Sequence, residues 1–228
     1  LDLYDIIHGE GLDSTISLKL THLGLGSDDA LARRSLLDLL GKAKEKDNFL
    51  RIDMENSPYT DATISLYRQC ALRYEGVGLV LQAYLKRTAS DMASLLNDRL
   101  NVRICKGIYK ETPDLAFQDP EEIRLNFIQL VQTALDGGAY VGIATHDRYL
   151  IDSLETWIMN KNIPEDRYEF QVLYGVPMKD RLEALLSKGN KVRVYVPYGE
   201  EWYQYATRRL QESPKIAGYI LKNLFRKN

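Results

Sequence analysis

Seven short runs rich in aliphatic and β-branched residues recur along the chain, each bounded by turn residues, and the gaps between them carry helical periodicity. The runs are Ile16 to Leu20, Phe49 to Met54, Val77 to Ala83, Val102 to Gly107, Tyr140 to Thr145, Tyr168 to Tyr174 and Val192 to Val196. Residues 29–46, 61–73, 88–98, 121–136, 147–160 and 178–188 read as helices, the first of them through Ala30, Leu31, Leu36, Leu37, Leu39 and Leu40. Acidic starts at Ser27-Asp-Asp29 and Asp119-Pro-Glu-Glu122 suit helix N-termini. Gly137-Gly138 and Gly189 stand where left-handed C-cap residues belong. Strand lengths of this kind suit buried parallel strands. No linker rich in Pro, Ser or Gly interrupts the pattern, so residues 1–228 are expected to form a single domain.

Strict alternation of strand and helix leaves two architectures, the open doubly wound sheet and the closed eight-stranded barrel. A dinucleotide-binding open sheet needs Gly-x-Gly-x-x-Gly after its first strand. The nearest match, Gly24-Leu-Gly26, lacks the third glycine and precedes two aspartates that would repel a pyrophosphate, so it reads as a plain loop. A barrel instead carries its chemistry at the C-terminal ends of its strands. Here those ends are polar throughout: Lys19, Asp53 with Glu55, Gln82, Arg103 with Lys106, Thr145 with His146, Gln171 and Tyr174, and Tyr195.

Composition removes several function classes. With 30 basic against 32 acidic side chains there is no cationic excess for a nucleic-acid backbone. The longest apolar runs, such as Val77 to Leu81, fall far short of the roughly 20 residues of a membrane-spanning helix. Cys70 and Cys105 lie in no Cys-x-x-Cys pair, and the three histidines show no metal-ligand spacing, so neither a disulfide framework nor a metal is expected. No serine nucleophile elbow occurs. Leu1 to Ile7 reads as the end of an amphipathic helix rather than a signal peptide, and the front of the chain is expected to be cut.

Strand parity sharpens the rim. In Ile16-Ser-Leu-Lys-Leu20, Lys19 shares a face with Ser17 while Ile16, Leu18 and Leu20 share the other, as an inward lysine requires. Asp53 shares a face with Arg51 and Glu55. Arg103 and Lys106 have opposite parity, so both reach one ligand only if the strand bends or ends near Gly107. Gln82, Gln171 or Asp53 taken singly would be satisfied structural groups. Gathering Lys19, Arg103, Lys106 and His146 on one rim costs repulsion and desolvation that a bound anion would relieve. Beyond the last run, Tyr205, Arg208, Arg209 and Glu212 fall at i, i+3, i+4 and i+7, one face of a helix. A surface helix with an Arg208 to Glu212 ion pair would have this pattern. So would a carboxylate clamp, because guanidinium groups bind carboxylates in bidentate fashion.

These motifs are linked. Ile16-Ser-Leu-Lys-Leu-Thr21, Arg51-Ile-Asp-Met-Glu-Asn-Ser-Pro58, Leu81-Gln-Ala-Tyr-Leu-Lys-Arg87, Val102-Arg-Ile-Cys-Lys-Gly-Ile-Tyr-Lys-Glu111, Ile143-Ala-Thr-His-Asp147, Tyr168-Glu-Phe-Gln-Val-Leu-Tyr-Gly175, Val192-Arg-Val-Tyr-Val-Pro-Tyr-Gly199 and Tyr205-Ala-Thr-Arg-Arg209 together resemble the proline dehydrogenase family, in the family's order and nearest to its monofunctional bacterial form. The resemblance implies an α/β fold, a distorted (β/α)8 TIM-like barrel whose first strand and N-terminal helices have no counterpart in this chain. It implies FAD-dependent oxidation of L-proline to Δ1-pyrroline-5-carboxylate, the first step of proline catabolism, with electrons passed to a membrane quinone.

Carried over motif by motif, Lys19, Arg208 and Arg209 would hold the proline carboxylate, and Asp53 would pair with and orient this basic cluster. These four form the expected catalytic set. Tyr109, Leu173, Tyr195 and Tyr205 would wall the pyrrolidine ring. Gln82, Arg103, Lys106, Thr145, His146, Arg209 and Glu212 would contact FAD. The implied location is cytoplasmic, with peripheral contact at the inner face of the plasma membrane left open. Two other classes fit parts of the sequence: a Schiff-base aldolase using Lys19 or Lys106, and a non-catalytic carboxylate-binding barrel.

Overall fold

In the computed structural model, residues 1–96, 99–176 and 178–199 are described. They fall into two compact units, the first ending at Phe170 and the second beginning at Gln171. The first unit runs α1 (Asp2–Gly9), β1 (Ile16–Lys19), α2 (Asp29–Glu45), β2 (Leu50–Asp53), α3 (Thr60–Ala71), β3 (Val77–Gln82), α4 (Thr88–Leu95), β4 (Asn101–Cys105), α5 (Pro120–Asp136), β5 (Tyr140–Ala144), α6 (Arg148–Lys161) and the start of β6 (Tyr168–Leu173). The second unit contains the end of β6, then α7 (Lys179–Ser187) and β7 (Val192–Tyr195), with the Tyr174 N–H donating to the Tyr195 carbonyl at 2.9 Å.

Each apolar run of the sequence has become a strand and each periodic gap a helix. The strands of the first unit pair in parallel and in chain order: Lys19 lies beside Asp53, Arg51 beside Gly78, Val80 beside Arg103 and Arg103 beside Gly142. A doubly wound sheet would reverse its strand order at a switch point. No reversal occurs from β1 to β5, which is the progression of a β/α barrel. Parallel strands need a crossover between them, and the helices supply it while covering one face of the sheet. Helix α3 lies on β3, and α5 lies on β4 and β5. Ile52, Leu79, Val102, Ile104, Val141 and Ile143 are buried in the sheet, with Leu36, Tyr67, Phe127, Val131 and Leu154 buried in the helices.

Carboxylates close the helix starts as the sequence suggests. Asp28 accepts from the Leu31 N–H at 2.8 Å, Asp119 from Glu121 at 2.9 Å and Asp147 from Tyr149 at 3.1 Å; caps of this kind stabilise by about 1 kcal/mol each. At the end of α5 the left-handed residue is Gly138, with φ +92°, whereas Gly137 keeps φ −78°.

At the N-terminal ends of the strands the sheet is closed by Arg51. Its guanidinium donates to the Leu79 carbonyl at 3.1 Å and to the Asn101 carbonyl and Oδ1 at 2.9 and 2.7 Å, and lies 4.8 Å from the centre of the Phe49 ring. To reach Asn101 it crosses β3 at Gly78, where a Cβ would stand 2.4 Å from its Nη1. Burial, with Arg103 nearby, holds this guanidinium below the ordinary arginine range, while Glu169 and Asp53 act the other way. It remains a cation at neutral pH.

Candidate active site

The opposite ends of the same strands carry a different chemistry. Asp53 closes β2, and its Oδ1 accepts from the Ser17 hydroxyl on β1 at 2.7 Å and from Arg103 Nη1 on β4 at 2.9 Å. Arg103 also reaches the Ser17 hydroxyl at 3.2 Å. The side chains of Asp53 and Arg103 are each only 12% exposed, so this is a largely desolvated pair. Removing one partner of such a pair strands the other charge. Lys19 is half-buried at the end of β1, beside Asp53 in register.

A second ionic group stands at the ends of β4 and β5. Lys106 Nζ lies 2.6 Å from Asp147 Oδ2, and Arg124 Nε of α5 approaches the same oxygen at 2.7 Å. Burial pushes the Asp147 carboxyl up, but the hydrogen bonds from Lys106 and Arg124 outweigh it and hold the group below the usual carboxylate range. The parity conflict between Arg103 and Lys106 disappears because β4 ends at Cys105 and the chain turns at Gly107, with φ +103°. The two cations then diverge, Arg103 toward β2 and Lys106 toward the start of α6. One expectation is corrected here. Asp53 and Asp147 supply negative charge to Arg103 and Lys106 from within the protein, so these two cations do not by themselves call for an external anion.

Gln82, at the end of β3, is buried with its side-chain carbonyl oxygen unpartnered. A buried acceptor left without a donor is costly, and it marks a place where a bound molecule can supply one. Thr145 is buried at the end of β5, its hydroxyl accepting from the Asp147 N–H at 3.1 Å, and His146 is exposed beside it. Tyr109 packs against Tyr84, Leu85 and Ala116.

In the second unit, Leu173 ends β6 and Tyr195 ends β7, both half-buried. Tyr205, Arg208, Arg209 and Glu212, the whole of the expected arginine stripe, lie outside the described residues.

The partners of several strand-end groups are not visible in the sequence. Ser17, which parity places on the face of Lys19, bridges Asp53 and Arg103. Asp147 and Arg124 complete the Lys106 group. Glu55 accepts from both the Thr21 N–H and hydroxyl, at 3.0 and 2.6 Å. Glu111 does the same to Ser57, with both distances 2.7 Å. For Glu55 the available signal was a carboxylate just past the end of β2 with a threonine just past the end of the neighbouring β1; Glu111 and Ser57 follow strands that β3 separates, and no such signal joined them.

Polar groups gathered at the C-terminal ends of a chain-ordered parallel sheet are the arrangement of barrel-type α/β enzymes, and this chain belongs to that class. The family model described as proline dehydrogenase matches residues 6–219. Proline dehydrogenase 1 of Bacillus subtilis (strain 168) is 39% identical over 216 residues, covering 95% of this chain and 71% of the relative. Proline dehydrogenase of Deinococcus radiodurans is 35% identical over 231 residues, 99% of this chain and 74% of that one.

Among solved structures, proline utilization A from Bdellovibrio bacteriovorus inactivated by N-propargylglycine superposes with a TM-score of 0.82 at 21% identity. The match covers 97% of this chain but only 29% of that much longer one. A Bradyrhizobium japonicum proline utilization A mutant gives 0.77 at 19% identity, over 92% of this chain and 25% of its own. At such identities the structures speak to the fold, and they agree with the barrel progression of β1 to β5. The chain is a member of the proline dehydrogenase family.

Proposed function

We propose that this chain oxidises L-proline to Δ1-pyrroline-5-carboxylate, with FAD as the immediate acceptor and a membrane quinone as the next. Family membership supports a redox enzyme acting on proline. The observation that carries the cofactor reading is the buried, unpartnered carbonyl of Gln82 beside a strand-end array of cations. The pyrimidine edge of a flavin offers the N–H donor that such an acceptor lacks. Bound FAD supplies a two-electron acceptor that no side chain can replace.

In this reading Gln82, Arg103, Lys106, Thr145, His146, Arg209 and Glu212 hold the cofactor. Lys19, Arg208 and Arg209 grip the substrate carboxylate, with Asp53 ordering the basic cluster. Tyr109, Leu173, Tyr195 and Tyr205 wall the ring. Two or three cations on one carboxylate fix the ring so that the carbon beside the amine presents its C–H to the acceptor, and orientation supplies most of the rate. Arg103, placed by Asp53 and Ser17, would lie where a cation favours the negative charge gained by an acceptor that takes up hydride. The substrate reacts as its free amine.

The barrel reading treats residues 1–228 as one catalytic domain. A cytoplasmic protein touching the inner face of the plasma membrane fits a quinone acceptor. No helix among the described residues is long and apolar enough to cross a membrane. The decisive experiment is an anaerobic titration with L-proline that follows the visible absorption of oxidised flavin. Bleaching is expected. A yellow protein that proline does not bleach would overturn the substrate, and a colourless protein that cannot be reconstituted with FAD would overturn the cofactor.

A further inference from the structure

The segment from Lys106 to Asp119, between β4 and α5, is fastened to the chain leaving β3. The Tyr84 N–H donates to the Lys106 carbonyl at 2.8 Å, the Phe117 N–H to the Tyr84 carbonyl at 2.8 Å, and the Lys86 N–H to the Leu115 carbonyl at 3.0 Å. Leu85 and Ala116 form an antiparallel bridge. From this segment Glu111 reaches past β3 to the chain leaving β2. There its two carboxylate oxygens separately accept the N–H and the hydroxyl of Ser57, each at 2.7 Å. A carboxylate that takes both donors of one residue fixes orientation as well as distance.

Because β3 lies between β2 and β4, this grip carries the segment across the end of β3, where Gln82 stands. Tyr109 sits two residues before Glu111 and leans on Tyr84, Leu85 and Ala116. Gly107 makes that close approach possible, since a Cβ there would stand 2.1 Å from the Tyr84 ring.

We infer that Glu111 is a positioning residue that sets substrate fit: its two-pronged hold on Ser57 fixes the strap over β3 and thereby the place of the Tyr109 ring. The inference rests on the reading of Tyr109 as a wall of the proline site. A wall displaced by a fraction of an ångström loosens ground-state and transition-state binding together, which appears in KM more than in kcat. It also admits a bulkier ring.

The test is steady-state and anaerobic flavin-reduction kinetics of Glu111→Ala, Ser57→Ala and the double variant, with L-proline and with a ring-hydroxylated proline. Glu111→Ala is expected to raise KM for proline about tenfold, with kcat within about twofold, flavin content unchanged and the preference for proline over the hydroxylated ring reduced. Ser57→Ala, which loses one of the two bonds, falls between, and the double variant is no worse than Glu111→Ala. Should Glu111→Ala not fold, Glu111→Gln keeps the shape, turns a donor toward Ser57 and raises KM about threefold.

An unchanged KM and preference in these variants, or a fall confined to kcat or flavin content, would overturn the inference. Failure of the underlying reading shows separately. An unaltered protein that proline does not reduce removes the activity, and Tyr109→Ala with unchanged KM removes the wall; either removes this role for Glu111 as well.

Discussion

Two arginines on neighbouring parts of one sheet have been put to opposite uses. Arg51, at the N-terminal ends of the strands, delivers its donors to two main-chain carbonyls and an amide oxygen and rests on Phe49. Arg103, at the C-terminal ends, is held by a carboxylate and a hydroxyl. Two of its three acceptors are main-chain carbonyls that the sheet holds in place, so Arg51 is a fastening. A carboxylate and a hydroxyl on side chains can turn toward a ligand, so Arg103 is placed without being locked. The division follows the rule that one end of a β/α barrel serves stability and the other chemistry.

Substitution should separate the two ends. The largest effect is expected from Arg51→Ala, which takes three hydrogen bonds from Leu79 and Asn101 and empties the buried space the guanidinium fills. A loss of about 3–5 kcal/mol should appear in urea unfolding, with activity lost only as far as folding is lost. If Arg51→Ala instead unfolds normally but reacts slowly, the two ends are not distinct.

Next, Arg103→Lys, which keeps a cation beside Asp53 but loses the guanidinium fork, should slow proline-dependent bleaching about tenfold while moving the unfolding free energy by under about 1.5 kcal/mol. Equal losses in both assays would erase the contrast.

The smallest effect is expected from Asp147→Asn. Its folded-state carboxyl titrates below the unfolded one, so the stabilisation is complete above the unfolded value and disappears as pH falls toward the folded one. Unfolding midpoints of the unaltered protein should therefore drop on acidification through the carboxylate range. The asparagine variant, still able to cap α6, should lose about 0.5 kcal/mol at neutral pH after solvent screening and show a flatter acid limb.

The fold was written locally and the site was not. Apolar runs and 3.6-residue periodicity placed every strand and helix of the first unit to within a few residues, because each signal lies within the segment that forms the element. Parity put Arg51 and Asp53 on one face of β2, but it could not say that Arg51 turns to Asn101 while Asp53 turns to Arg103. Those choices depend on contacts 36 to 50 residues apart. Gly78 held a clue to one of them, since an absent side chain in the middle of a buried strand leaves room for another residue's head group. The partners of Lys106 were equally hidden: Asp147 opens a run that reads as a helix and caps that helix, yet the same carboxylate also gathers two cations.

The chain-following order of β1 to β5 has a meaning in time as well as in space. A strand emerging from the ribosome finds its sheet neighbour already made, because that neighbour is the strand synthesised just before it. The sheet can therefore grow at one edge, a strand and its helix at a time, with only its two outer edges exposed at any stage rather than several strands waiting for distant partners.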